Sequence, residues 1–287
     1  MTPVRVYSPF SAAVATEVWG SRCGQKIFRC SQTGALFFDR QTLQNASYGG
    51  YYPYLKSFDF GRNDWELSIR RRKYRRQLWS MQRYVTGRAL LDVGAGPGYL
   101  CRIAQEEGWS AVGIEISDEA ARHGRRYFGV RYVTMEEADD DFFDVVTCHH
   151  VLEHVEKPMD FLEAVRRKLK PNGLLVLHVP HQQPLSFWLR ERWLPAKDTW
   201  CCLYGNIHIS GFNMESLRKV VEAAGFRTCF VRTTSMWSKY YDPFFFRSYI
   251  RQRQWGGLAK QAVRHAIENA GVLVGRGDWV VGYFNKV

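Results

Sequence analysis

The segment from Ala89 to Leu100, Ala-Leu-Leu-Asp-Val-Gly-Ala-Gly-Pro-Gly-Tyr-Leu, constrains the fold more than any other part of the chain. Apolar residues Ala89-Leu90-Leu91 make a strand, the glycines make a turn, and the residues after them start a helix. Glycines at 94, 96 and 98 let the backbone turn tightly and approach a ligand with no Cβ in the way. In an open α/β sheet such a turn lies at the carboxyl end of a strand, where ligands bind. A dinucleotide fingerprint would put its third glycine at position 99, beside a pyrophosphate, but that position is Tyr99. The strand carries an acid instead, Asp92, two residues before the first glycine. An acid there suits a ligand with a cationic amine and no phosphate.

The neighbouring segments narrow the reading. Ala111-Val112-Gly113-Ile114-Glu115 is a short apolar strand that ends in an acid, one helix after the glycines. An acid in that place can hydrogen-bond both hydroxyls of a ribose. Next comes Phe142-Phe143-Asp144-Val145-Val146-Thr147-Cys148-His149-His150-Val151-Leu152-Glu153-His154-Val155. Leu169-Lys170-Pro171-Asn172-Gly173 follows, then the apolar run Leu174 to Val179. His208-Ile209-Ser210-Gly211-Phe212 and Ala224-Gly225-Phe226 complete the set. Over residues 85 to 235 these motifs resemble the class I S-adenosylmethionine-dependent methyltransferases, whose first motif is an acid, any residue, then Gly-x-Gly-x-Gly. The sequence is similar to quinone-pathway O-methyltransferases and to nucleotide-sugar methyltransferases that carry an N-terminal zinc-ribbon-like segment. The resemblance implies an α/β fold with a Rossmann-like seven-stranded sheet whose last strand is antiparallel. It implies S-adenosyl-L-methionine as cofactor. It places Asp92, Gly94, Ala95, Gly96, Gly98, Glu115, Ile116, Glu136 and His149 around that cofactor.

Strand and helix signals alternate, which favours parallel pairing. Strands are expected near 89–93, 110–115, 130–134, 143–148, 174–179, 226–233 and 278–285. Helices are expected near 64–86, 98–107, 118–128, 158–169, 213–224 and 257–270. Residues 1–60 read as a ribbon-like N-terminal segment and 61–287 as the methyltransferase domain. Aromatic-rich insertions near 182–206 and 237–277 are positioned to cap the sheet. In the N-terminal segment Cys23 and Cys30 resemble half of a zinc ribbon. A closed zinc site needs four ligands, and Gly20 and Thr33 stand where partner cysteines would be, so a hairpin without metal is expected. The tyrosine-rich stretch Tyr48 to Tyr54 offers aromatic faces that suit a sulfonium cation.

A net charge of +12 on 287 residues attracts anionic partners. The densest basic run is Arg70-Arg71-Arg72-Lys73-Tyr74-Arg75-Arg76. A solvated helix face, an anionic membrane and a phosphorylated substrate are the readings it supports. Nucleic acid is disfavoured, because no accessory recognition module is present. Seven scattered cysteines read as reduced thiols. No signal peptide or membrane span is recognisable, so a cytoplasmic location is expected, with peripheral membrane contact as the variant of that reading.

For chemistry, His149 and His150 end the fourth strand of the resembling fold, where the transferred methyl group is faced. Histidine titrates near neutrality and can take a proton from a hydroxyl acceptor. His150 is the first candidate base. Strand alternation expects only one of two adjacent histidines to face the acceptor. Glu153 and His154 are expected to brace the loop. Similar quinone-pathway enzymes bind a divalent ion with Glu-x-x-Glu-His at this point, but this chain has His150-x-x-Glu153-His154. Losing a carboxylate weakens a magnesium site, and no metal is expected. The expected function is methyl transfer to a small-molecule, lipid-linked or sugar-linked acceptor. An RNA methyltransferase and a non-catalytic binding protein are the alternatives.

Overall fold

The computed structural model describes residues 6–11, 18–22, 25–38, 64–193, 202–203, 208–235 and 255–287. Cys23, the tyrosine-rich stretch 48–54, Trp200 and residues 237–254 of the second insertion lie outside the described residues. Contacts between Cα atoms cluster into two units. One contains Met1–Ala46, Val179–Lys219 and Val231–Val281, and the other contains Ser47–His178, Val220–Phe230 and Gly282–Val287.

In the first unit, β1 (Val18–Arg22), β2 (Gln25–Arg29) and β3 (Leu36–Phe38) form an antiparallel meander. Its outer edge is closed by Ser210–Gly211, which pairs antiparallel with β3. Apolar residues hold this small sheet. Ile27, Leu36 and Phe38 pack with Cys202 and Leu203, and Phe10 meets Phe37 and Phe212 edge to face. The turn from Cys30 to Ala35 is made by backbone hydrogen bonds from Gly34 to Cys30 and from Cys30 to Ala35. Thr33 joins it through its hydroxyl, which accepts from the Ala35 amide at 3.3 Å. Gly34 sits at φ 76°, a left-handed conformation that glycine adopts without steric cost.

The remaining elements in chain order are α1 (Asp64–Met81), β4 (Ala89–Val93), α2 (Tyr99–Glu106), β5 (Ser110–Ile114), α3 (Asp118–Phe128), β6 (Arg131–Tyr132) and β7 (Phe143–His149). They continue as α4 (Pro158–Lys168), β8 (Leu169–Pro180), α5 (Leu185–Trp193), β9 (Ser210–Gly211), α6 (Met214–Ala223), β10 (Phe226–Thr234), α7 (Trp255–Leu273) and β11 (Trp279–Lys286). Seven of the strands form one sheet in the order β10-β11-β8-β7-β4-β5-β6. The pairs β4–β5, β4–β7, β5–β6 and β7–β8 are parallel, and the last strands are antiparallel. Strands covered on both faces read as continuous apolar runs. Leu174 to Val179 is such a run, with every aliphatic member fully buried and His178 set among them.

Local signals account for the helix ends. Ser117 caps α3 by accepting from the Ala120 amide at 3.3 Å. Acids lie in its first turn, Arg125 and Arg126 lie in its last, and Gly129 ends it at φ 64°. The helix expected over 64–86 stops at Met81 and continues only as a turn. Inside the first expected insertion, residues 185–193 form α5, which local pattern had not indicated.

Candidate functional site

β4 lies between β5 and β7 in the sheet. The chain therefore leaves the carboxyl ends of β4 and β7 in opposite directions, which opens a crevice there. The glycine turn follows β4 and borders it. The Gly94 and Ala95 amides both donate to the Ile114 carbonyl, at 2.8 and 3.0 Å, which ties the turn to the end of β5. All three glycines have positive φ, at 74°, 54° and 83°, yet each answers a different demand. A Cβ on Gly94 would lie 2.4 Å from a Val151 methyl, and one on Gly98 would lie 2.6 Å from the Tyr132 hydroxyl. A Cβ on Gly96 would meet nothing within 4 Å. Gly94 and Gly98 are small because protein fills their space, and Gly96 borders open space. The Tyr132 hydroxyl donates to the Gly96 carbonyl at 2.9 Å and holds the turn from below.

Glu115 faces the turn from the end of β5. One carboxylate oxygen accepts from the Gly96 amide at 2.7 Å and the other from the Ser117 amide at 2.8 Å. Each oxygen keeps a further lone pair for a hydroxyl donor. Asp92 is buried at 4 % exposure. It stands opposite Thr147 in the β4–β7 register, and the Thr147 hydroxyl donates to its carboxylate at 2.6 Å. No ion pair reaches Asp92 among the described residues. Burial pushes its carboxyl up to about 7, the Thr147 hydrogen bond opposes the rise, and the charge of Glu115 adds to it.

The other expected cofactor residues divide. Ile116, which follows Glu115, is 88 % exposed and apolar. Glu136 is exposed in the turn after β6, and among the described residues no hydrogen bond or ion pair joins it to the rest of the group. His149 and His150 come together with His178 of β8. Ring centroids lie 5.7 Å apart for His149–His178 and 4.8 Å for His150–His178. The strand itself ends at His149. His150 has φ 59°, a left-handed backbone that has already left the strand, so both rings reach His178. Its amide donates to the His178 carbonyl at 2.8 Å.

The two rings have different partners. The Gln77 amide nitrogen lies 2.8 Å from His149 Nε2. This hydrogen bond ties the His149 ring to α1. Tyr74, one turn earlier on α1, lies parallel to the same ring. His150 Nδ1 lies 3.5 Å from Oε1 of Glu153, which is fully buried, and His154 Nε2 lies 3.9 Å from the same oxygen. Thr147, Gln77, Tyr74 and His178 were not singled out from sequence. The signal for Thr147 and His178 is a polar residue inside an apolar strand. For Gln77 it is a polar residue on the helix side that carries Tyr74, Leu78 and Met81.

A family model described as a methyltransferase domain matches residues 68–229, more than half of the chain. The ubiquinone biosynthesis O-methyltransferase of Alkalilimnicola ehrlichii is 33% identical over 111 residues, which is 35% of this chain and 45% of that protein. The mitochondrial ubiquinone biosynthesis O-methyltransferase of Schizosaccharomyces pombe is 35% identical over 103 residues, covering 32% and 38%. The chain thus spans less than half the length of these curated relatives. Among solved structures, a SAM-dependent methyltransferase from Archaeoglobus fulgidus is similar with a TM-score of 0.50 at 17% identity, over 77% of this chain and 94% of that one. A Haemonchus contortus phosphoethanolamine N-methyltransferase in complex with S-adenosyl-L-methionine has a TM-score of 0.50 at 19% identity, over 86% and 59%. At these identities the structures speak for the fold.

Proposed function

The chain belongs to the methyltransferase-domain family, and from that premise we propose that it binds S-adenosyl-L-methionine at the β4–β5 turn and methylates the hydroxyl of a small-molecule acceptor. One observation carries the cofactor reading. A buried carboxylate, Asp92, pairs with no cation among the described residues, stands at the foot of a turn whose Gly96 borders open space, and feels the charge of a second carboxylate, Glu115, which is bound to that turn. A ligand with an ammonium group and a vicinal diol satisfies both acids. A dinucleotide could offer Glu115 a ribose diol, but it brings a pyrophosphate toward Asp92 where a cation is wanted.

When bound, the cofactor supplies a methyl group already activated by a sulfonium. The residues then have three tasks. Asp92 neutralises the ammonium and Glu115 receives ribose hydroxyls, with its other lone pairs held by the Gly96 and Ser117 amides. Ile116 presents an apolar surface next to the ribose acid, as a purine face requires. Of the two histidines, His149 is occupied by Gln77, so His150 is the better base. Its Nδ1 lies 3.5 Å from the buried Glu153 carboxylate, which orients the ring and would stabilise the imidazolium formed when it takes a proton from a hydroxyl. Glu136 and the backbone at Ala95 remain secondary cofactor contacts in this reading. No metal is assigned a role.

The named relatives are O-methyltransferases of ubiquinone biosynthesis, which favours an oxygen nucleophile here. The +12 charge favours an acceptor that is itself anionic or is presented at an anionic surface. No helix among the described residues is long and apolar enough to cross a membrane. The test uses calorimetry first. S-adenosyl-L-methionine and S-adenosylhomocysteine should bind and NAD should not. Incubation with methyl-labelled cofactor and fractionated extract should then put label in a small-molecule or lipid fraction. Label confined to RNA would replace this reading with an RNA methyltransferase. Cofactor binding with no label in any fraction would favour a binding protein.

A further inference from the structure

Helix α1 has a face that the proposed chemistry does not use. At about 100° per residue, Arg72, Arg76, Trp79 and Arg83 fall within a ~60° arc. Helical hydrogen bonding continues past Met81, from the Gln82 amide to Leu78 and from Arg83 to Ser80, so Arg83 belongs to the same stripe. Tyr74, Leu78 and Met81 are buried on the opposite side. The other basic residues of the run have partners. Arg71 and Arg75 pair with Glu106 and Glu107 of α2, and the Arg70 guanidinium lies 4.6 Å over the Tyr99 ring. Arg72 and Arg76 make no ion pair or hydrogen bond with described residues and are exposed.

Between these guanidinium groups sits Trp79, 66 % exposed. The Arg83 guanidinium lies 5.8 Å from its ring centroid. A face that only meets water gains nothing from an indole at its most outward point. An indole ringed by arginines does suit a bilayer surface, where the ring enters the headgroup region and the cations meet lipid phosphates. RNA is a poorer fit. Single strands need a groove with successive stacking platforms, and this stripe is convex with one aromatic.

We propose that the Arg72–Arg76–Trp79–Arg83 stripe is a docking surface for an anionic lipid bilayer, with α1 lying parallel to the membrane plane. Each arginine near such a surface strengthens binding roughly fivefold, so attachment is reversible and salt-sensitive. The same helix carries Tyr74 and Gln77 to His149, so docking would hold the candidate acceptor side of the sheet at a fixed distance from the lipid. The proposal does not depend on methyl transfer.

Flotation of the full chain with vesicles tests it, with no cofactor added. Vesicles of phosphatidylcholine containing phosphatidylglycerol should bind the protein and release it as salt rises, and pure phosphatidylcholine vesicles should not. The triple variant R72Q/R76Q/R83Q should bind the anionic vesicles about a hundredfold more weakly. Trp79→Ala should weaken binding while keeping its salt dependence. All four side chains are exposed, so the variants should melt with the parent, and a matched melting curve makes the comparison valid. Three results would overturn the proposal. They are a parent chain that ignores anionic vesicles, a triple variant that binds as tightly as the parent, and a parent that binds single-stranded RNA in preference to vesicles.

Discussion

Asp92 occupies a place that disfavours its own charge. Its carboxyl is raised from an ordinary 3.8 to about 7, because burial removes water and Glu115 adds its charge, while among the described residues only Thr147 donates to it. The consequence for stability has a definite sign. Below about pH 4 the folded and unfolded chains are both protonated, and the group has no net effect. Between about pH 4 and pH 7 the unfolded chain ionises first, so this group lowers stability as pH rises, by up to about 4 kcal/mol, and is level above that. Asp92→Asn keeps an acceptor for Thr147 and carries no charge. It should therefore melt higher than the parent at pH 8, with a smaller gain at pH 5, and lose cofactor affinity. Equal melting curves at both pH values would remove the argument for an uncompensated acid. At the ribose end, Glu115→Ala should weaken S-adenosylhomocysteine binding by roughly 2–4 kcal/mol in calorimetry, since it removes charge-assisted acceptors from the ligand. At the acceptor end, His150→Ala should lower kcat by about 10²–10⁴-fold with little change in cofactor affinity. His150→Gln, which can hydrogen-bond but is not basic, should be nearly as slow. Full activity in the Gln variant would reduce His150 to an orienting group.

The glycine turn acts as one element with its supports at the ends of β5 and β6. Tyr132 fills the space beside Gly98 and Gly124 and donates to the Gly96 carbonyl. Tyr132→Phe should keep the packing, leave that carbonyl without its donor, and cost about 1 kcal/mol in denaturant unfolding. Gly98→Ala should cost more, because the added Cβ meets Tyr132 and Val130 and the backbone is left-handed. By contrast, the exposed Arg71–Glu106 and Arg75–Glu107 pairs between α1 and α2 should each matter by less than about 1 kcal/mol. The elements around this turn were legible in the sequence because each has a local cause. The strand of β4 is an apolar run, the turn is its glycines, and α3 carries its cap and end charges in order. What was not legible depends on distance along the chain. Nothing near Leu36 announces that β3 will pair with Ser210–Gly211, and α5 lies in a stretch where tryptophans obscure the helical period. The site divides in the same way. Asp92 and Glu115 end strands in a recognisable pattern, whereas Gln77 reaches His149 from 72 residues away, a contact that only the folded helix creates. The alternation argument for His149 and His150 assumed a strand that continues, and the left-handed backbone at His150 ends it.

At the scale of the molecule, these features act through one linked equilibrium between folding, proton binding and ligand binding. A ligand that binds only the folded chain stabilises it by about 2.7 kcal/mol at a hundred times its dissociation constant. For a chain of this size that corresponds to a rise in melting temperature of about 5–10 °C. S-adenosylhomocysteine should produce such a rise, and NAD at the same concentration should produce none. The Asp92 carboxyl then sets how the rise depends on pH. An ammonium group beside it favours the ionised acid, so binding at pH 6 must first release a proton that is already absent at pH 8. Affinity should fall by about tenfold per pH step below about 7, and the thermal shift at a fixed ligand concentration should be smaller at pH 6 than at pH 8. In Asp92→Asn there is no proton to release, so its smaller shift should be the same at both pH values. Melting curves of the two proteins, with and without ligand at the two pH values, measure the linkage directly. A pH-independent shift in the parent would separate Asp92 from the ligand and leave Glu115 as the acid that recognises it.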